Sequence, residues 1–358
     1  LEKAVVKPLN VSENIELGFC SFCGACIAVC PFNNLSYELS NPSKPTLGDS
    51  KFCKKCKQTL CINVCPQLNI SRELFSLNTY AFSEAYEAKS TMPEVIKVAQ
   101  DGGAVTSLLI AGLRLGLFDA ALVTSRDEVW RPKPSIAVVD GEVIEAAGTK
   151  YVYSPTLLAL KDLASREGVK SIAIVGLPCQ IRAVEKMKKL GLKLFEGLSL
   201  VSIGLFCTHN FTYEKILSLT KDLKISIGDL AKISIKKGKL VFTTKDGVSA
   251  LYSLSKASKD MRAACMQCPE FISPYADLNI GSIGSSEGWS TVLVMSSVGR
   301  RILTRAVNWG FIEVKPLSIE GRDTVFKFIE KKVRESLENY EEYVRKHGDI
   351  LNVDPSKW

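Results

Sequence analysis

The sequence predicts an α+β chain: a cysteine-rich N-terminal module over residues 1–78, a larger mixed α/β body over 79–318 and a helical extension over 319–358. Three observations carry this. Eight of the twelve cysteines fall in two runs before residue 66. From about residue 79, apolar stretches of strand length alternate with stretches of helical length, with turn residues between them. Beyond residue 319, Val325, Phe328, Ile329, Val333, Leu337, Tyr340 and Val344 recur at helical spacing. That apolar face must be buried somewhere, so a helix packed on its own domain is expected ahead of a partner-docking helix.

The first run, Cys20, Cys23, Cys26 and Cys30, reads C-x2-C-x2-C-x3-C-P. The second, Cys53, Cys56, Cys61 and Cys65, reads C-x2-C-x4-C-x3-C-P, with Asn41-Pro-Ser-Lys-Pro45 separating the two. Disulfides suit short secreted chains, whereas this one has 358 residues and no signal peptide. Zinc sites rarely place three cysteines in so few residues and then a proline. The spacing resembles that of bacterial two-cluster ferredoxins, where the fourth cysteine of each run ligates the other cluster. That resemblance implies that Cys20, Cys23, Cys26 and Cys65 bind one 4Fe-4S cluster and Cys53, Cys56, Cys61 and Cys30 a second. The two extra residues between Cys56 and Cys61 are expected to bulge outward.

In the body, Ala104–Leu117 has helical length and Ala120–Thr124 reads as a strand. Asp140-Gly141, between Ile136–Val139 and Val143-Ile144, is a hairpin signal. Ser171–Gly176 reads as a buried strand leading into a helix over about 180–190, and Val201–Phe206 as a strand delivering Cys207. Lys237-Gly238 and Asp246-Gly247 mark hairpins within 230–254.

The longest apolar stretches are far shorter than a bilayer-spanning helix, so no transmembrane segment is expected. The cysteine usage points to a reducing cytoplasm, with any peripheral membrane association arising through a partner. The formal charge is +8, with Lys51, Lys54, Lys55 and Lys57 crowded at the second run. The plain reading is a solvated face that compensates anionic clusters; the sharper one is neutralisation of an acidic ligand or docking of an acidic partner. No nucleic-acid motif accompanies the charge, so nucleic acid is not expected as a partner.

The remaining cysteines are Cys179, Cys207, Cys265 and Cys268, and only the last two form a short motif. They are either ordinary buried cysteines or ligands of a third cluster; positions at strand ends beside Gly or Pro favour ligands. Asp101-Gly-Gly-Ala-Val-Thr106 places free backbone amides at a helix start, suited to a pyrophosphate or a flavin carbonyl. Gly281-Ser-Ile-Gly-Ser-Ser-Glu-Gly-Trp-Ser-Thr291 follows a strand and has the hydroxyls and glycines to wrap a phosphate or a ring edge. No G-x-G-x-x-G or Walker motif supports a nicotinamide or ATP site.

Taken in order, Asp101–Thr106, Ala147-Gly-Thr-Lys-Tyr151, Val175-Gly-Leu-Pro-Cys-Gln180, Phe206-Cys207 with Asn210, Cys265-x2-Cys268, and Gly281–Gly284 through Gly288–Thr291 resemble the family formed by the beta subunits of coenzyme F420-reducing hydrogenase and F420-dependent dehydrogenases. The resemblance covers about residues 80–310. The fused N-terminal module makes the whole chain most similar to the F420H2 dehydrogenase branch, which implies a phenazine- or quinone-reducing membrane complex as partner. Other settings are the F420-coupling subunit of a soluble hydrogenase, formate dehydrogenase or sulfite reductase system, a ferredoxin-dependent flavoprotein reductase, or a non-catalytic electron-transfer module.

The resemblance implies FAD and a third 4Fe-4S cluster, with coenzyme F420 as hydride-exchanging substrate. FAD would take an electron pair and release it singly to the clusters, with no side-chain general acid required. Carried over by motif, the FAD contacts are Gly102, Gly103, Ala104, Val105, Thr106, Thr149, Lys150, Tyr151, Gln180, Asn210, Ser282 and Ser285. Lys150 is either a surface lysine or a cation for a phosphate or reduced flavin. Trp130 and Trp289 are either core residues or ring stackers. His209 is a loop histidine in the preferred reading, with cluster tuning as the alternative. Arg131, Lys133 and Arg182 are candidates for the phosphate and oligoglutamate tail of F420.

Overall fold

The structure is a computed structural model that describes residues 11–38, 41–56, 59–68, 70–163, 166 and 168–347. Strands β1 (Leu35–Glu38) and β2 (Asn41–Leu47) form an antiparallel ribbon in the N-terminal module. The body is built on an eight-stranded sheet of β3 (Glu84–Ser90), β4 (Ala120–Arg126), β5 (Pro132–Ala137), β6 (Ser171–Gly176), β7 (Ser199–Leu205), β11 (Leu278–Gly281), β12 (Ser290–Val294) and β13 (Ile312–Pro316). Its order is β13-β3-β12-β11-β7-β6-β4-β5. Between β7 and β11 in sequence, β8 (Leu230–Lys236), β9 (Lys239–Thr244) and β10 (Ser249–Ser253) make a separate antiparallel sheet.

The middle of the large sheet, β11-β7-β6-β4, is parallel. Its strands are accordingly buried on both faces, and alternate residues go to opposite cores. Ala121, Val123 and Ala173 join the cluster under helices Ala104–Arg114 and Ser297–Asn308. Ala120, Leu122, Ile172 and Ile174 join the cluster against helix Pro178–Lys189. Cys23, Ala25 and Val64 of the N-terminal module are part of that second cluster, so the module is packed into the body. Backbone bonds seal the contact, from Leu157 N–H to the Cys23 carbonyl (2.9 Å) and from Ala264 N–H to the Gly18 carbonyl (3.1 Å).

The Asn41–Pro45 stretch between the cysteine runs lies in strand β2. One expectation is corrected. Asp140-Gly141 opens a short helix, Asp140–Glu145, instead of a hairpin. The Glu142 carboxylate takes the amides of Val138 (2.7 Å) and Val139 (3.4 Å), the two residues that lead into that helix. The hairpin lies one turn earlier, joining β4 to β5. There the Asp127 carboxylate accepts from the amides of Val129 (3.1 Å) and Arg131 (2.7 Å).

The C-terminal helix, Ile319–His347, packs on its own chain. Val325, Phe328, Ile329, Val333 and Leu337 lie against Phe271, Ile272 and Leu293 of the body. Tyr340 continues the seam to Phe19 and Cys65 of the N-terminal module. The side chain of Val344, and residues 348–358, fall outside the described residues, as do residues 57 and 58 in the Cys56–Cys61 spacer.

Candidate functional site

Strand direction decides where the chemistry collects. β3, β11, β7, β6 and β4 all point the same way, so their carboxyl ends share one edge of the sheet, the usual ligand edge of an α/β sheet. The loop after β3 leads to Asp101–Thr106, and that after β11 is the serine-rich loop. Cys207 follows β7, and Cys179 follows β6 in the first turn of helix Pro178–Lys189. Because β6 and β7 are neighbours, two cysteines 28 positions apart in sequence meet at one place.

The glycine loop is wedged against the sheet. A Cβ on Gly102 would lie 2.6 Å from the Ser290 amide nitrogen and closer still to the Ala88 carbonyl, so only glycine fits there. Gly103, with φ 74°, turns the chain into helix Ala104–Arg114, whose first turn contains Val105 and the buried Thr106. The small sheet lies over the same edge. Lys232 on β8 donates to the Ala99 and Gln100 carbonyls (both 2.9 Å), and Gln100 donates to the Ile233 carbonyl (3.3 Å). Burial raises the Asp101 carboxyl above its usual range, while Lys232 and a hydrogen bond with Ser282 act against the rise.

The other predicted flavin contacts divide into two kinds. Thr149 is exposed, with its amide on the Gln100 side chain (3.2 Å). Lys150 folds back onto the carbonyls of Ala146 (2.5 Å), Ala147 (3.1 Å) and Gly148 (2.8 Å); burial, and then the Arg126 charge, push it down to about 7. Tyr151, with φ 54°, has its pKa raised by burial and then by the nearby Asp101 carboxylate and Cys207. By contrast Gln180 is buried, bonding the Ser154 carbonyl (3.1 Å), Thr156 hydroxyl (2.9 Å) and Leu177 amide (2.8 Å). Asn210 is buried on the Val152 carbonyl (2.9 Å) and Phe211 amide (3.1 Å), and the Ser285 hydroxyl closes its own loop on the carbonyls of Ser282 and Trp289. These three side chains brace the loops at this edge through the bonds they make.

The cysteines sort themselves by the neighbours they feel. Burial raises the Cys26 thiol well above its usual value, and Cys20, Cys23 and Cys65 add to the rise, with a smaller contribution from Cys61. Cys61 is pushed up to about 11 by burial, with Cys30, Cys56 and Cys53 as its cysteine neighbours. Cys179 is raised by burial and then by Cys268, Cys207, Cys23 and Cys265. The fourth cysteine of each run thus stands with the other run, and Cys23 links the third group to the first. Among the described residues, no three His, Cys, Asp or Glu side chains converge tightly enough to hold a single metal ion.

Several cations stand around these thiols, and spacing in the sequence hints at few of them. Arg182 sits one helical turn after Cys179, 3% exposed, with Nη1 2.8 Å from the fully buried Glu270 carboxylate. This overturns its candidacy for an F420 tail, since it is sealed inside the protein beside Cys268 and Cys179. Lys186, one turn further on, donates to the Cys65 carbonyl (2.7 Å) and to the Leu68 carbonyl. Lys332 of the C-terminal helix donates to the Thr208 (2.6 Å) and Cys265 (2.8 Å) carbonyls. Arg262 donates to the Cys20 carbonyl (3.0 Å) and stacks over Tyr153, whose hydroxyl is 3.1 Å from the Cys265 sulfur. Helical spacing of Arg182 and Lys186 from Cys179 was the one available clue.

Of the other candidates, Arg131 pairs with Asp127 (3.4 Å) and Lys133 is exposed on β5. Trp130 is a core residue, donating to the Lys150 carbonyl (2.9 Å) under the Arg126 guanidinium. The Trp289 ring carries Lys315 at 4.4 Å. His209 meets the Ser258 hydroxyl at 2.9 Å, which fits a loop histidine. A groove of about 710 Å³ between the N-terminal module and the body, lined by residues such as Val29, Leu60, Lys161 and Leu194, contains none of the glycine-loop residues.

Comparison with known proteins fits this geometry. The model for the coenzyme F420 hydrogenase/dehydrogenase beta subunit matches in two parts, its N-terminal part over residues 85–161 and its C terminus over 169–320. The beta subunit of coenzyme F420 hydrogenase from Methanosarcina barkeri is 34% identical over 261 residues, 71% of this chain and 90% of the relative. The chain belongs to the family of coenzyme F420 hydrogenase/dehydrogenase beta subunits. Its members include a solved chain of the F420-reducing [NiFe] hydrogenase complex of the same organism, 32% identical with a TM-score of 0.71 over 74% of this chain and 93% of that one. Residues 12–89 match a 4Fe-4S dicluster domain, an addition to the family body. A subunit of the F(420)H(2) dehydrogenase of Methanosarcina mazei, 27% identical, aligns over 94% of this chain and 95% of its own length.

Proposed function

We propose that the protein oxidises reduced coenzyme F420 at a bound FAD and passes single electrons through three 4Fe-4S clusters to a protein partner, a membrane-associated oxidoreductase complex. The observation that carries this is the shared strand edge, onto which the glycine loop after β3, the serine-rich loop after β11 and the cysteines after β7 and β6 all open. The full-length alignment with the F(420)H(2) dehydrogenase subunit supports this member of the family over those lacking the dicluster domain.

The residues present suit the groups invoked. The tight cradle at Gly102 and the free amides of the following helix suit a pyrophosphate. FAD accepts an electron pair and releases electrons singly, and 4Fe-4S clusters carry them one at a time. Cys179, Cys207, Cys265 and Cys268 would hold the cluster nearest the flavin, Cys20, Cys23, Cys26 and Cys65 the next, and Cys30, Cys53, Cys56 and Cys61 the last. Arg182, Lys186, Arg262 and Lys332 offset the negative charge of the first two thiolate sets. The body supplies orientation and exclusion of water, and no side chain is needed to move the hydride's proton.

Purified protein should carry FAD and oxidise F420H2, read from recovery of the F420 absorbance. Cys207→Ser should keep FAD and the electron-paramagnetic signals of the two N-terminal clusters while losing electron delivery beyond the flavin. Protein with no flavin and no reaction with F420H2 would sink the proposal.

A further inference from the structure

Of the twelve thiols only Cys53 is exposed. Next to it in sequence is Phe52, 46% exposed, whose ring packs on that of Phe32, 47% exposed, with centroids 5.8 Å apart. One ring comes from each cysteine run, and each lies within two residues of a thiol in the group of Cys30, Cys53, Cys56 and Cys61. Asn34 fixes the two runs together at this point: its side chain donates to the Asp49 carbonyl (3.0 Å) and the Cys53 sulfur (3.3 Å), and its amide to the Cys30 sulfur (3.3 Å). Isolated exposed apolar side chains are ordinary, but two contacting rings beside the one exposed thiol make a patch.

Charge says what covers it. From residue 44 to 57 there are five lysines and one aspartate. That aspartate, Asp49, is engaged as a helix cap with its carboxylate on the Lys51 amide (2.8 Å). Lys44, Lys51 and Lys55 are exposed. A small apolar centre on a segment rich in exposed lysines suits a brief encounter, in which charge steers approach and a contact under about 1,200 Å² lets the partner leave.

We propose that Phe32, Phe52 and Cys53, with Lys51 and Lys55, form the docking face for an acidic one-electron carrier protein. This rests on the electron path from F420H2 to the N-terminal clusters proposed above, and makes the carrier the acceptor at the last cluster in place of direct delivery to the membrane complex. The balance is one F420H2 giving F420, two protons to solvent and two electrons, taken one each by two carrier molecules.

The test uses the full protein with F420H2 as donor and an acidic two-cluster ferredoxin as acceptor, with neutral menadione as a small acceptor that needs no docking. At about 20 mM salt, Lys51→Glu with Lys55→Glu should lower the second-order rate constant for ferredoxin about 10-fold, with the gap closing near 0.5 M salt. Phe32→Ser with Phe52→Ser should raise KM for ferredoxin several-fold at every salt concentration. Menadione reduction, the iron–sulfur spectra and the control Lys224→Glu should be unchanged. Unaltered ferredoxin kinetics in both double variants would overturn the proposal. So would a wild-type dimer that Phe32→Ser with Phe52→Ser splits, since the patch would then be covered by a second copy. If wild-type protein fails to reduce menadione, the functional reading fails on its own. Docking is then read by calorimetric titration with oxidised ferredoxin: heat lost in both double variants supports the face, and equal heat overturns it.

Discussion

Arg182 and Glu270 form an ion pair 3% and 0% exposed at their side chains, and such a pair is worth most when one partner is removed. Arg182→Met should therefore cost about 3–5 kcal/mol in denaturant unfolding, because it leaves the Glu270 charge buried alone. Arg182→Met with Glu270→Gln should recover most of that; additive losses would show the pair is not coupled. Lys150 permits a pH experiment. Its folded value, about 7, lies below the roughly 10.4 of a free lysine. Below pH 7 it is charged whether folded or unfolded, and the burial cost is fully present. Above pH 7 the unfolded chain binds the extra proton, so folded stability rises with pH. Melting temperature of wild type relative to Lys150→Met should thus climb between pH 6 and 9, and parallel curves would contradict the assignment.

The glycine loop is held by geometry rather than affinity for anything. Gly102→Ala should cost about 1–3 kcal/mol by forcing helix Ala104–Arg114 off β3 and β12, and should release FAD. Retention of flavin at wild-type stoichiometry would show that the loop is not its seat. At this scale the sequence was informative where spacing or periodicity carries the signal. The parallel strands read as apolar runs because both faces are buried, and the C-terminal helix read correctly because its stripe has a core to cover. Asp140-Gly141 misled because a dipeptide cannot reveal that Glu142 will cap a helix. The real turn depends on the Asp127 side chain bonding its own backbone, a weaker mark than Asp-Gly. Gln180, Asn210 and Ser285 belonged to recognisable motifs, yet motif membership does not say whether a polar atom faces a ligand or braces a loop.

Over the whole molecule, the cysteine count was legible and the cations were not, since Arg182, Lys186, Arg262 and Lys332 come from distant segments that only the fold assembles. The C-terminal helix, legible as an element, has contacts that only the fold reveals. At its start Gly321 and Gly284 touch backbone to backbone: a Cβ on Gly284 would stand 2.6 Å from the Gly321 carbonyl oxygen, so the serine-rich loop rests on the helix. Midway, Lys332 holds the Cys265 and Thr208 carbonyls, and near the end Tyr343 meets Phe19 edge to face at 4.9 Å. One rod thus touches the serine-rich loop, the middle cysteines and the N-terminal module. The dicluster domain is therefore not a detachable cassette. A chimera that grafts residues 1–78 onto a family member without this helix would inherit the cysteines but not their placement against the body, and a working transplant must carry both ends of the chain.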